Sequence, residues 1–312
     1  MDGDGGCPQA SATAARPLFD RLSDGWQARA QVRIHVLGAG TPFEPDRPDF
    51  VESLLPFARH PRYRAASPEL RAATLSCGWL LFNQKQVELE RCIVIPACLE
   101  LLRGRLPGGS DLKAQKVLSE ALTDESYHIL LTEHASEVTR RQRGLGAIEL
   151  PTCRVVREFE AEQARHADAG RRNLLLLAAA IVTEVFICGF LRSLSEADAI
   201  QPLHVRVTRT HLADELTHAC VFRSIMTSGY HEMTLAERDA FALALALAMR
   251  WLAAPEIDTW AAVLRQLGFA YVDDIVGETP WRSPTPDYAP LLRICNELGL
   301  SSIRERLARV VL

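Results

Sequence analysis

Residues 174–191 read LLLLAAAIVTEVFICGFL, eighteen residues carrying one charge, Glu184. Length alone would allow a membrane span. A lone carboxylate at bilayer depth is costly, and the chain offers no second run of this kind. The stretch therefore reads as a helix buried on all sides within a large helical bundle. An ionised carboxylate buried without a partner is strongly unfavourable, so Glu184 must neutralise, pair with a cation or bind a metal. No Lys or Arg lies within two turns of it on its own helix, which makes metal binding the preferred reading.

Outward from this run the texture stays helical. Residues 67–104 open with Ser-Pro-Glu, a cap followed by proline in the first turn, and Pro96 is expected to kink or end that helix. LPGGS breaks the chain, and Asp111 begins a second long helix ending at Gly144. A third helix is expected over 157–194 and a fourth over 200–228. Further helices are expected over 235–253, 256–268 and 287–308. Nothing reads convincingly as a strand. Residues 1–16 are small and polar with no apolar signal core, and read as a flexible N-terminal tail. Residues 17–66 read as loops with one or two short helices, and 17–312 as a single helical domain. GAGTPF lacks the Gly-Lys-Ser/Thr ending of a phosphate loop and reads as a turn.

The second and fourth helices carry the same pentad: Asp124-Glu125-Ser-Tyr-His128 and Asp214-Glu215-Leu-Thr-His218. A Glu-to-His spacing of three puts a carboxylate and an imidazole on one helical face. One such pair is weak evidence; two, both among apolar residues, are much stronger. Glu90 on the first helix and Glu184 on the third complete the set. One Glu, one ExxH, one Glu and one ExxH on four helices is the pattern of ferritin-like dimetal carboxylate bundles. The fold class expected is all-α, a ferritin-like four-helix bundle core with extra peripheral helices. Four carboxylates with imidazoles suit two iron ions, with manganese as the alternative.

His211 lies four residues before Glu215 and seven before His218, on the same stripe, and should point at the same site. Asp124 and Asp214 face off the stripe. Their expected role is to accept the remaining ring N–H of a ligand histidine on a neighbouring helix. Gln86 and Asn83, one and two turns before Glu90, are candidates to line a cavity. Lys85 could attract a substrate carboxylate, though it lies well off the Glu90 stripe. The remaining histidines lie outside the stripe or near loops and helix ends.

Net charge is −4, from 35 Lys+Arg against 39 Asp+Glu, and aromatics are 7%. That argues against nucleic acid or an anionic membrane as partner. Eight scattered cysteines without a CxxC pair read as buried free thiols in a reducing compartment, which places the protein in the cytoplasm.

On Glu90, Glu125-x-x-His128, Glu184 and His211-x-x-x-Glu215-x-x-His218, the sequence resembles the p-aminobenzoate N-oxygenase family of non-haem diiron enzymes. The third imidazole, His211, is the distinguishing mark. Desaturases, other C–H oxidases and iron-storage bundles share the remaining pattern and stay open as alternatives, as does a non-catalytic metal-binding bundle. The resemblance implies an O₂-dependent oxidoreductase in natural-product or antibiotic biosynthesis. It would convert an amine to a hydroxylamine, and onward to nitroso or nitro. Glu90, Glu125, Glu184 and Glu215 would supply carboxylates, and His128, His211 and His218 imidazoles. It further implies O₂ as co-substrate, a small-molecule amine either free or tethered to a carrier protein, an electron donor such as ferredoxin or a reductase, and a homodimer.

Overall fold

The computed structural model describes residues 10–34, 41–277 and 289–300, and among these there is no strand. In chain order the helices are α1 (Ala10–Arg29), α2 (Gln31–Ile34), α3 (Pro61–Arg64), α4 (Pro68–Leu89), α5 (Ile95–Leu102), α6 (Leu112–Arg143) and α7 (Arg154–Ala164). They continue as α8 (Ala169–Ser195), α9 (Pro202–Glu232), α10 (Leu235–Ala253), α11 (Ile257–Gln266), α12 (Val272–Gly277) and α13 (Ala289–Glu297). A π-helical segment, Glu90–Val94, joins α4 to α5. The all-α expectation holds. The central four rods are α4 with α5, α6, α8 and α9.

Local chemistry sets the helix ends. The Ser67 hydroxyl accepts the Leu70 N–H with Pro68 in the first turn, Asp111 caps α6 and Asp168 caps α8. Gly144 ends α6 in the left-handed conformation at φ +66°. In the LPGGS break, Gly108 sits at φ +91°, where an added Cβ would lie 2.6 Å from the Ile225 carbonyl. The break therefore packs directly on the α9 backbone.

Four details differ from the sequence reading. Pro96 neither ends nor sharply breaks the first rod. Proline removes the N–H that would bond four residues back and crowds that carbonyl, and the wider π turn absorbs the mismatch. The expected third helix is two, because Asp168 accepts the Arg171 N–H and Arg172 takes the carbonyls of His166 and Ala167. Residues 10–16, expected in a loose tail, belong to the twenty-residue α1, which runs on into the segment expected to hold only short helices. Residues 1–9, and 301–308 of the last expected helix, lie outside the described residues. A second run, 235–266, also passes a length-and-apolarity test for a span.

Both apolar runs are explained by the core. Leu174–Glu184 is buried along its whole length, and Phe241, Leu245, Met249 and Leu252 of α10 are buried too. The core divides into two apolar clusters. One gathers Ile93, Val94, Leu118, Leu177, Ile181, Phe222 and Ile225. The other gathers Trp79, Leu80, Phe82, Leu131, Leu191 and Val207. Each central rod passes from one cluster to the other, and the charged pattern falls at the crossing. On α6, Leu118 lies before Glu125 and Leu131 after it; on α8, Ile181 before Glu184 and Leu191 after.

Candidate metal centre

The crossing between the two clusters brings together all seven residues expected from the sequence. Glu90, Glu125, His128, Glu184, His211, Glu215 and His218 are each 2% exposed or less. His211 Nε2 lies 3.0 Å from Glu90 Oε1 and 3.1 Å from Glu215 Oε1. His128 Nδ1 lies 3.2 Å from Glu215 Oε1 and 3.7 Å from Glu125 Oε2. His218 Nδ1 lies 2.7 Å from Glu125 Oε1, 3.6 Å from Glu215 Oε1 and 3.9 Å from Glu184 Oε2. Two overlapping groups present ligand atoms within 4.8 Å of one another: Glu90, His128, His211 and Glu215; and Glu125, His128, Glu215 and His218. Glu215 and His128 belong to both groups, and Glu184 to neither.

The hydrogen bonding bears on whether a metal fits. Oε2 of Glu90, Glu125, Glu184 and Glu215 is in each case buried without a hydrogen-bond partner. Buried polar atoms are rarely left so. Here they lie in one layer with the three imidazoles, which approach other glutamate oxygens at 2.7–3.2 Å. Four glutamates in an apolar interior match the charge of two divalent cations, and carboxylates with imidazoles suit iron or manganese. The residues present therefore fit a pair of such ions.

The electrostatics agree. Burial, then the nearby carboxylates of Glu215 and Glu125, hold the Glu184 carboxyl well above the usual range. Burial also raises Glu90, to about 7, against the pull of His211. Burial alone would keep His218 neutral, but Glu125, Asp124 and Glu215 outweigh it and raise its pKa well above the ordinary value. Asp214, Glu125 and Glu215 do the same for His128. Without a metal the layer holds protons to balance its charge, and metal binding would release them.

The two aspartates lie against the two imidazoles in a reciprocal arrangement. His128 Nε2 on α6 faces Asp214 Oδ2 on α9 at 3.2 Å, and His218 Nε2 on α9 faces Asp124 Oδ2 on α6 at 3.3 Å. Each pentad thus braces the imidazole of the other. The aspartates are held in turn from the N-terminal helices. Trp26 Nε1 donates to both oxygens of Asp124 at 2.9 and 3.1 Å, and the Gln31 N–H reaches Asp214 at 3.2 Å. Sequence reasoning missed Trp26 and Gln31; their only signal is their place on helices packed over α6 and α9. Cys188, one turn after Glu184, was also not singled out, and its thiol donates to the Glu215 carbonyl at 3.4 Å.

The expected cavity residues divide. Asn83 is buried and spends its amide on the Ser136 hydroxyl at 2.8 Å. Gln86, one turn before Glu90, keeps a buried Nε2 without a partner, as does the hydroxyl of Thr132, one turn after His128. His204 is a core residue stacked on Trp79, with Nδ1 2.8 Å from the Asp49 carbonyl and Nε2 2.9 Å from the Thr139 hydroxyl. The seven cysteines among the described residues are free, but Cys92, Cys188 and Cys220 are only partly buried.

Compared with known protein families, residues 12–299 match the family described as P-aminobenzoate N-oxygenase AurF. The chain belongs to this family. It is also similar to the 4-aminobenzoate N-oxygenase of Streptomyces thioluteus, at 28% identity over 264 residues, covering 83% of this chain and 78% of that one. Membership supports an oxygenase acting on a small-molecule amine.

Proposed function

We propose that this N-oxygenase family member is a non-haem diiron enzyme that uses O₂ to oxidise an amine nitrogen, giving a hydroxylamine and then nitroso or nitro products. The observation that carries the reading is the buried layer of Glu90, Glu125, His128, Glu184, Glu215 and His218, in which one oxygen of each glutamate has no hydrogen-bond partner. These residues with His211 would hold the two irons. The chemistry a bound iron pair supplies is reduction of O₂ with transfer of one oxygen atom to nitrogen. The balance is RNH₂ + O₂ + 2 e⁻ + 2 H⁺ giving RNHOH + H₂O, so an external electron donor such as ferredoxin or a reductase is part of the proposal.

The chain's own contribution is position and dryness. Asp124 and Asp214 fix the orientation of His218 and His128. The apolar clusters above and below exclude water. Gln86 and Thr132 keep buried, unpartnered polar atoms one turn from Glu90 and His128. A cytoplasmic setting, in which the free thiols among the described residues stay reduced, and a natural-product pathway are part of the proposal.

The test is to load purified protein anaerobically with ferrous iron, count metal per chain, then add amine, reductant and ¹⁸O₂. Two irons per chain and ¹⁸O on the amine nitrogen are expected. Protein that takes up no metal, or iron-loaded protein that labels no amine across an aryl and alkyl panel, overturns the reading.

A further inference from the structure

Trp26 and Gln31 close one side of the site, where α1 and α2 cover α6 and α9. The other side lies between the rods of Glu90 and Glu184. There α8 meets the first rod at the π segment, and beyond it the two helices are spaced by stacked rings, Phe82 on Phe190 at 4.9 Å. A cleft of about 100 Å³ lies between α4 and α8 beside these rings. Its walls include Phe82, Phe186, Phe190 and Trp260, and among them stand two charges, Lys85 and Glu256.

Those two charges are already spent on each other. Lys85 Nζ lies 3.1 Å from Glu256 Oε1, with the side chains only 12% and 17% exposed. Glu256 is anchored on its far oxygen by the Arg154 N–H at 2.8 Å and the Thr259 hydroxyl at 3.3 Å. The lysine that the sequence suggested for a substrate carboxylate therefore carries no spare charge. A carboxylate entering here would have to strip Glu256 from Lys85 or sit beside it as a second, unmatched anion, and both are costly in a largely apolar cleft. An uncharged carbonyl meets neither obstacle. The ammonium has three N–H donors, and those that Glu256 leaves free can donate to it.

Building on the N-oxygenase reading, we infer that this cleft is the substrate site and that the Lys85–Glu256 pair selects an amine whose far end is an uncharged carbonyl: an amide, ester or thioester rather than a free acid. This sets the chain apart from its Streptomyces relative, whose name specifies the carboxylate-bearing 4-aminobenzoate.

The experiment is equilibrium calorimetry on the iron-loaded and the metal-free protein, with 4-aminobenzamide and 4-aminobenzoate as probes. The wild type is expected to bind the amide at least about tenfold more tightly than the acid. Glu256→Gln frees the lysine charge while keeping the side-chain volume, and is expected to shift the ratio at least about tenfold toward the acid. Equal wild-type affinities, an unchanged ratio in a folded Glu256→Gln protein, or binding of neither probe would each overturn the inference. If the variant does not fold, the wild-type ratio alone decides. Binding is read without turnover, so a protein that shows the preference yet oxidises no amine separates failure of the functional reading from failure of this one.

Discussion

Glu184 shows at the scale of one residue what a metal-binding layer demands of a fold. Its carboxyl is fully buried among carboxylates, with the His218 imidazole 3.9 Å away. In metal-free protein that arrangement opposes folding. Glu184→Leu is expected to stabilise the metal-free chain by about 1–4 kcal/mol in urea denaturation. The same variant should lose most of the rise in Tm that ferrous iron gives the wild type; a variant less stable than wild type without metal would contradict this account. The aspartates act on the metal through the rings they hold. Asp214→Asn keeps the shape but weakens the acceptor for His128, and is expected to cost about 10–100-fold in iron affinity, read by competition with a chelator.

At the scale of elements, α1 is where packing overrides local preference. It contains Pro17 and Gly25, both poor helix formers, yet it runs for twenty residues against α6 and α9. Removing the Trp26 indole leaves Asp124 buried with its His218 contact alone. Trp26→Phe is therefore expected to cost about 1–3 kcal/mol of stability by urea denaturation, with iron content falling further than in a surface variant of α1. The four central rods were legible in the sequence because their caps and pentads are local signals: Ser67, Asp111 and Gly144 each act within one turn. Helical periodicity made Glu125, His128, His211, Glu215 and His218 legible, whereas Glu184 showed as the lone charge in an apolar run and Glu90 as the acid that completes the four-helix pattern. The π turn was not legible, because it follows from how Pro96 is accommodated once α4 and α5 are packed. The split between α7 and α8 was not either, because it rests on Arg172 reaching two carbonyls. The Lys85–Glu256 pair joins positions 171 residues apart in sequence, a pairing no local pattern specifies.

At the scale of the molecule, the segment before α4 is tied to the bundle by a buried polar staple. Asp49 takes hydrogen bonds from Ser76 at 2.6 Å and Arg143 at 2.7 Å, and its carbonyl meets His204. Burial holds the His204 pKa down to about 3, below its ordinary 6.5. Between those values the unfolded chain binds a proton that the native one refuses, so stability falls as the pH drops from about 6.5 toward 3. Wild type is expected to lose stability more steeply than His204→Gln over this window, by up to about 1.4 kcal/mol per pH unit in urea melts, because carboxylate titration is common to both.

The crossed contacts of His128 with Asp214 and His218 with Asp124 gear the two halves of the bundle together. Neither α6 nor α9 can drift alone, because each holds the other's ring in line. Damage to the two braces should therefore fail to add: once one aspartate is gone, losing its counterpart removes a restraint that is already slack.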